Sequence, residues 1–250
     1  MKMKWNIWDV LWFVIPVGIV CMANVLSQDL LCTEVDIKLR ESEQNYFLKE
    51  NQILEEIEGA LAYTLKGGKL IHNDLNKIEN VLKRNKFVRS AKVLSDHKGR
   101  ILIDIVQECP IARIMNKDSS YYLTETGRVM PTSYNYTSRV MVVLGTKIND
   151  FLRQDSLANL EQKEAFVELV SYINNDEFLK AQIAVIEVLE NNKIVLYPQV
   201  THQKIEFGNC GNYVDKLERL KIFYKQILPR KGWTSYSKVN LEYKNQIICE

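Results

Sequence analysis

Residues Ile78–Val93 read IENVLKRNKFVRSAKV, and inside this stretch the chain changes from a helical to an extended pattern. Leu75, Ile78 and Leu82 recur at the three- and four-residue spacing that lines one face of an α-helix. Asn73 stands where a side-chain N-cap would start that helix, and Asn85-Lys86 ends it. From Phe87 to Leu94 the pattern is that of a β-strand.

Working outward, Ile53, Ile57 and Leu61 predict an earlier helix, stopped by Gly67-Gly68. Before it, Cys32–Leu39 alternates Val35, Ile37 and Leu39 against Glu34, Asp36 and Lys38, which predicts a strand. After Leu94, His97-Lys98-Gly99 makes a turn and Ile101–Gln107 a further strand. The order is strand, helix, helix, strand, strand, a complete small α/β unit placed at residues 32–108.

The rest of the outer region, residues 109–250, is richer in strands. Tyr121-Tyr122-Leu123 leads to a Thr126-Gly127 turn, and Arg139–Leu144 (RVMVVL) reads as a buried strand. Leu160–Asn175 is a helix with Phe166, Leu169, Val170 and Ile173 inward. Gln182–Leu189 and Lys193–Tyr197 flank an Asn191-Asn192 turn, and Lys204–Phe207 is a third strand of that group. Tyr213–Leu228 is a helix with Leu217, Leu220, Tyr224 and Ile227 on one face, broken by Gly232. Ser237–Tyr243 alternates cleanly, with Val239, Leu241 and Tyr243 on one side. The fold class is α+β, the second unit being a mixed β domain with flanking helices.

The N-terminus differs in kind. Val10–Val25 carries no charge, and with Trp5, Ile7, Trp8 and Leu26 it is long enough to cross ~30 Å of hydrocarbon as a helix. Trp5, Trp8 and Trp12 suit an interfacial aromatic belt, and Lys2 and Lys4 against Asp29, Glu34 and Asp36 orient the N-terminus to the cytoplasm. Residues 1–8 are then a cytoplasmic tail and 9–27 a single transmembrane helix. A cleaved signal peptide competes with this, but the apolar run exceeds the usual h-region.

The 33 basic and 31 acidic residues of the 250 leave a net charge of +2, which argues against a nucleic-acid binder held by a basic surface. Cys21, Cys32, Cys109, Cys210 and Cys249 are too few and too spread for a disulfide scaffold, and no Cys-x-x-Cys suggests zinc. Scattered buried thiols and a pair such as Cys210–Cys249 both remain open. His72, His97 and His202 lie outside any metal-ligating or catalytic spacing, and there is neither G-x-S-x-G nor a glycine-rich phosphate loop. No catalytic residue, cofactor, metal or small-molecule substrate is expected.

The first unit resembles a POTRA domain. Ile78–Val93 is similar to the POTRA pattern in which the second helix ends at an Asn and an aromatic-led strand begins. IVQECPIARI (Ile105–Ile114), YYLTETGRVMPTS (Tyr121–Ser133), RVMVVLG (Arg139–Gly145) and KVNLEYKNQIIC (Lys238–Cys249) resemble successive segments of the bacterial division family FtsQ/DivIB. Lys86 stands where that pattern has Pro, and Gln107-Glu108 replaces its Glu-Arg, so any role for that arginine's charge does not carry over. The resemblance implies a non-catalytic scaffold of the inner membrane, with its C-terminal part in the periplasm at the division septum. It implies a link between early and late division proteins, with FtsB/FtsL-like small coiled-coil partners docking at the C-terminal strand. A POTRA-bearing envelope assembly or secretion factor is the alternative. An anchored periplasmic enzyme is a more distant one.

Alternation in Ser237–Tyr243, late in the chain, suggests an edge strand with unpaired backbone groups, able to accept an added strand. Tyr236, Val239, Leu241 and Tyr243 are the expected anchors, with Lys238 and Lys244 steering acidic partners. Val239, Leu241 and Tyr243 would alternatively face the core. In the first unit Lys83, Arg84 and Arg89 form a basic cluster, either a second partner surface or a solvated face.

Overall fold

The computed structural model describes residues 31–40, 47–69, 72–116, 119–145, 148 and 157–250. The expected membrane helix at 9–27 lies outside them, and no described helix is long and apolar enough to cross a membrane. The chain divides into two compact units, Met1–Gln107 and Glu108–Glu250.

In the first unit, strand β1 (Glu34–Arg40) is followed by helices α1 (Glu50–Leu61) and α2 (His72–Arg84), then strands β2 (Val88–Ser95) and β3 (Arg100–Gln107). Helix α1 turns Ile53 and Ile57 inward, one turn apart, and stops where Ala62 enters the left-handed region. Helix α2 buries Ile78 and Leu82, and it starts at His72, one residue ahead of the expected cap. Strand β3 is central: β1 pairs with it in parallel and β2 antiparallel. Ile101, Ile103 and Ile105 alternate onto the helix side of β3 and are fully buried. Asp96 forms the β2–β3 turn by accepting hydrogen bonds from the backbone N–H groups of Lys98 and Arg100, both at 2.9 Å.

In the second unit, nine strands form one mixed sheet in the order β12-β11-β10-β9-β8-β7-β4-β5-β6. They are β4 (Pro110–Asn116), β5 (Ser119–Thr124), β6 (Val129–Pro131), β7 (Met141–Leu144), β8 (Ile183–Val188), β9 (Ile194–Pro198), β10 (Lys204–Gly208), β11 (Lys238–Asn240) and β12 (Ile248–Cys249). The pairs β4/β7, β7/β8 and β10/β11 are parallel. Parallel neighbours need a long crossover, and two of these crossovers carry the helices. Helices α3 (Leu157–Asn175) and α4 (Glu177–Gln182) join β7 to β8. Helix α5 (Tyr213–Ile222), a π-helical turn (Phe223–Ile227) and α6 (Leu228–Lys231) join β10 to β11. The π-turn ends two residues before Pro229, whose ring would clash with the carbonyl four residues back in a regular α-helix, and it brings Phe223 and Tyr224 into the core together. The single core of this unit joins Phe166, Leu169 and Val170 of α3, Leu217 and Leu220 of α5, and alternate residues of β4 and of β7–β11.

Several elements leave no mark in the sequence pattern. Strand β4 begins at Pro110, a residue that reads only as the end of the first unit. Strands β6 and β12 and helix α4 are too short for periodicity to declare them.

Candidate partner-binding site

The C-terminal end of the nine-stranded sheet differs from expectation in which strand stands at its edge. Ser237–Tyr243 is not the edge. Its strand is only Lys238–Asn240, and it lies between β10, in parallel, and β12, antiparallel. The edge is β12. The chain reverses between them through a turn in which Asn245 takes φ +58°, a left-handed conformation asparagine tolerates.

Val239 and Leu241 are therefore corrected as anchors: both are 0% exposed, on the helix side of the sheet. Val239 pairs with Ile205 on β10, and that row of side chains faces α5. Leu241 donates its backbone N–H to the carbonyl of Glu206 at 2.9 Å and sinks into the same core. Tyr236 is half-buried with its ring 6.0 Å from that of Phe223. Lys238 is held on the opposite face by Glu206 at 3.1 Å, with Glu250 at 4.0 Å. Only Tyr243, 56% exposed, and Lys244 project into solvent, from the turn and not from a strand. Ile248, 39% exposed on β12, belongs with them, although no pattern in the sequence singles it out.

The backbone of β12 completes the picture. Lys238 and Glu250 exchange both ladder hydrogen bonds, at 3.1 and 3.0 Å. Antiparallel pairs alternate between bonded and non-bonded, so Val239–Cys249 is a non-bonded pair. The N–H and C=O of Cys249 consequently point away from β11, to the open side of the sheet.

Three side chains hold this end of the unit. Arg219 on α5 is directed by Asp215, one turn earlier, which accepts from its Nε at 3.0 Å. Its other nitrogens donate to the carbonyls of Leu241 at 3.2 Å, Tyr243 at 2.8 Å and Gln246. Lys216 is buried, its Nζ donating to the carbonyls of Phe207 and Asn209 at 3.0 and 2.8 Å and lying 4.8 Å from the Phe207 ring centre. Burial holds its pKa below the ordinary lysine value. Glu242 bonds Lys193 at 2.9 Å, and its stem packs over Gly208, where a Cβ would meet it at 2.7 Å. Because Gly208 also has φ +77°, a side chain there would be strained as well as crowded.

A cleft of about 570 Å³ adjoins this region, with Lys193, Cys210, Lys216 and Glu242 among its lining residues. Its two reactive groups are poorly set for chemistry. Burial pushes the Cys210 thiol up to about 11, leaving little thiolate at neutral pH, and the Lys216 ammonium is committed to carbonyls. Cys32, Cys109, Cys210 and Cys249 are free thiols, so Cys210 and Cys249 are not joined. Among the described residues no group of His, Cys, Asp and Glu is arranged to hold a metal ion.

In the first unit Lys83, Arg84 and Arg89 are exposed around the α2–β2 junction. Lys83 pairs with Glu79 one turn earlier. Asn85 shapes the junction: its side chain donates to Glu56 at 2.7 Å and accepts from the Phe87 N–H at 3.0 Å.

A family model described as FtsQ/DivIB, C-terminal related, matches residues 109–250. The chain belongs to the FtsQ/DivIB family. A model of the POTRA-like domain matches residues 30–106. Both are scaffold families without catalytic function. No curated protein matches the sequence. Among solved structures, POTRA1-2 of the periplasmic domain of Omp85 from Anabaena is similar at 12% identity and a TM-score of 0.28, over 67% of this chain and 92% of that one. POTRA1-3 of the same protein is similar at 13% identity and a TM-score of 0.28, over 70% of this chain and 63% of that one. Likeness at that level is too slight to carry the fold. The FtsQ/DivIB match covers β4 to β12, so the open edge lies in the family-defining part of this scaffold.

Proposed function

We propose that this protein is a bitopic inner-membrane scaffold of the division machinery, anchored by residues 9–27 with its N-terminus cytoplasmic, and that it supports septum formation by capturing a partner strand at β12. The partner is an FtsB/FtsL-like small coiled-coil membrane protein. One observation carries this reading: β12 ends the sheet with the N–H and C=O of Cys249 turned outward and Ile248 exposed beside them. An extended peptide adding there gains main-chain hydrogen bonds, and its side chains are selected by Ile248 and Tyr243. Family membership and the hydrophobic N-terminal run support the placement at the septum. The 32–108 and 109–250 boundaries are the division of labour that goes with it. Lys83, Arg84 and Arg89 offer a second, purely electrostatic contact.

Deleting residues 236–250 would remove buried Val239 and Leu241 and test folding instead of docking. Cys249→Pro is the sharper change. Its missing N–H is the outward one, so the β11–β12 ladder is kept while an incoming strand loses its donor. Retention of the purified FtsB-like protein by the full chain is expected to fall at least tenfold with Cys249→Pro and to persist with Cys249→Val. Equal retention by both variants would remove β12 as the docking edge. In cells, a fluorescent fusion is expected at midcell and depletion is expected to give filaments; a uniform envelope signal with normal division would overturn the septal role.

A further inference from the structure

Strand β12 has two residues, too few to hold a fixed position by its ladder alone. The segment that delivers it, from Leu241 to Ile247, contains no regular element. The only described side chain that hydrogen-bonds several backbone groups of this segment comes from a helix outside it in sequence. Arg219 places its guanidinium against the carbonyls of Leu241 at the start of the segment, Tyr243 in the middle and Gln246 at the end. Its planar fork can meet three divergent acceptors at once, which an ammonium on a flexible stem cannot do with the same geometry. Asp215 fixes the fork by accepting from its Nε at 3.0 Å. The Arg219 side chain is only 11% exposed, and its bonds are charge-assisted.

We infer that Arg219 is the positioning residue of the docking edge, holding the β11–β12 connection so that β12 is presented in register to an incoming strand. This inference rests on the proposed function only for what docks; the clamp itself is a property of the fold. Without the clamp, the connection would sample many conformations, and the partner would have to order it on binding, weakening association. A residue that serves stability alone would show a different pattern, because its loss would be felt in the core before the edge.

The test uses the full chain in detergent and two readouts: hydrogen exchange of individual amides and affinity for the purified FtsB-like protein. With Arg219→Ala, exchange at Ile248 and Glu250 is expected to rise at least tenfold, exchange at core amides such as Leu196 and Ile205 to stay unchanged, and affinity to fall about tenfold. Arg219→Lys is expected to recover part of both losses. Asp215→Asn, which leaves Arg219 Nε an acceptor but removes its charge, is expected to give a smaller change in the same direction. Unchanged edge exchange, or faster edge exchange with unchanged affinity, would overturn the inference. If Arg219→Ala loosens the core as well, Arg219→Lys becomes the deciding variant, and wild-type edge exchange and affinity in it would overturn the inference. Partner binding that survives Cys249→Pro would instead defeat the docking site and leave the exchange result to judge the clamp.

Discussion

The edges of the two sheets are built on opposite principles. In the first unit both edge strands are long and charged. Strand β1 carries Glu34, Asp36, Lys38 and Arg40, with Arg100 pairing to Glu34 at 3.0 Å and Arg40 to Asp104 on the neighbouring strand. Strand β2 carries Arg89 and Lys92, both exposed. Charges on an edge oppose accidental pairing with another chain. In the second unit, β6 ends one side of the sheet on Pro131, which has no N–H to offer. Strand β12 ends the other side with Ile248 and Cys249, uncharged, short and tied from a helix. Of these four edges, β12 alone is free of both charge and proline within its strand. Strand β12 is thus kept chemically plain, and the segment that delivers it is held from α5 by Arg219.

The largest expected effect tests whether the two units stand on separate cores. Their buried clusters share no residue. Phe223→Ala, in the core beside Tyr236, is expected to cost about 3–5 kcal/mol in the second unit, and Ile57→Ala about 2–5 kcal/mol in the first. Hydrogen exchange should register each loss in its own unit; a loss spread equally over both would break the comparison at its root.

Next in size is an exchange of edge character. Ile248→Lys gives β12 the charge that guards β1 and β2. Partner affinity is expected to drop about tenfold while stability changes by less than about 0.5 kcal/mol. Equal binding to the lysine variant, measured by titration, would deny that edge chemistry selects the site.

A smaller effect concerns the helix that carries the clamp. Asp176 caps α4 by accepting from the Leu179 N–H at 2.9 Å and pairs with Lys221 on α5 at 2.6 Å. The hydrogen bond from Lys221 holds its carboxyl below the ordinary carboxylate value, helped by the Leu179 N–H. A depressed carboxyl contributes stability above its unfolded pKa, and that contribution is lost as pH falls through the folded value. Asp176→Ala is therefore expected to cost about 1 kcal/mol at neutral pH, and the difference from wild type should shrink on acidification below about pH 4. A difference that persisted in acid would show that the cap and ion pair are not its source.

The smallest effect belongs to the first unit's surface. Lys83→Ala removes an exposed pair one helical turn long and is expected to change stability by no more than about 0.5 kcal/mol. A larger loss in thermal unfolding would mean that the basic cluster has a structural part to play.

Much of the first unit is legible because its signals are local. The Ile53–Ile57 and Ile78–Leu82 spacings and the alternation of Ile101, Ile103 and Ile105 each declare an element over a few residues. The long helices of the second unit are legible for the same reason. The site is less so. Alternation through Ser237–Tyr243 marks an extended segment, but alternation does not distinguish an inner strand from an edge, because both present one buried face. Asn245 signals a turn, and Ile248 follows it closely, yet a two-residue strand has no period to detect. Arg219 looks like an ordinary surface charge spaced one helical turn from Asp215.

What the sequence by itself determined was the α+β class, the two kinds of unit, and which residues seek the interior, since local periodicity and hydrophobicity act on neighbouring residues. What only tertiary structure decided was which strand stands last in the sheet, which way Cys249 turns its backbone, and that Arg219 meets three carbonyls of a distant segment. Those outcomes depend on strand order and on helix crossovers that close over long stretches of chain. Hydrogen bonds made at that range leave no local pattern behind.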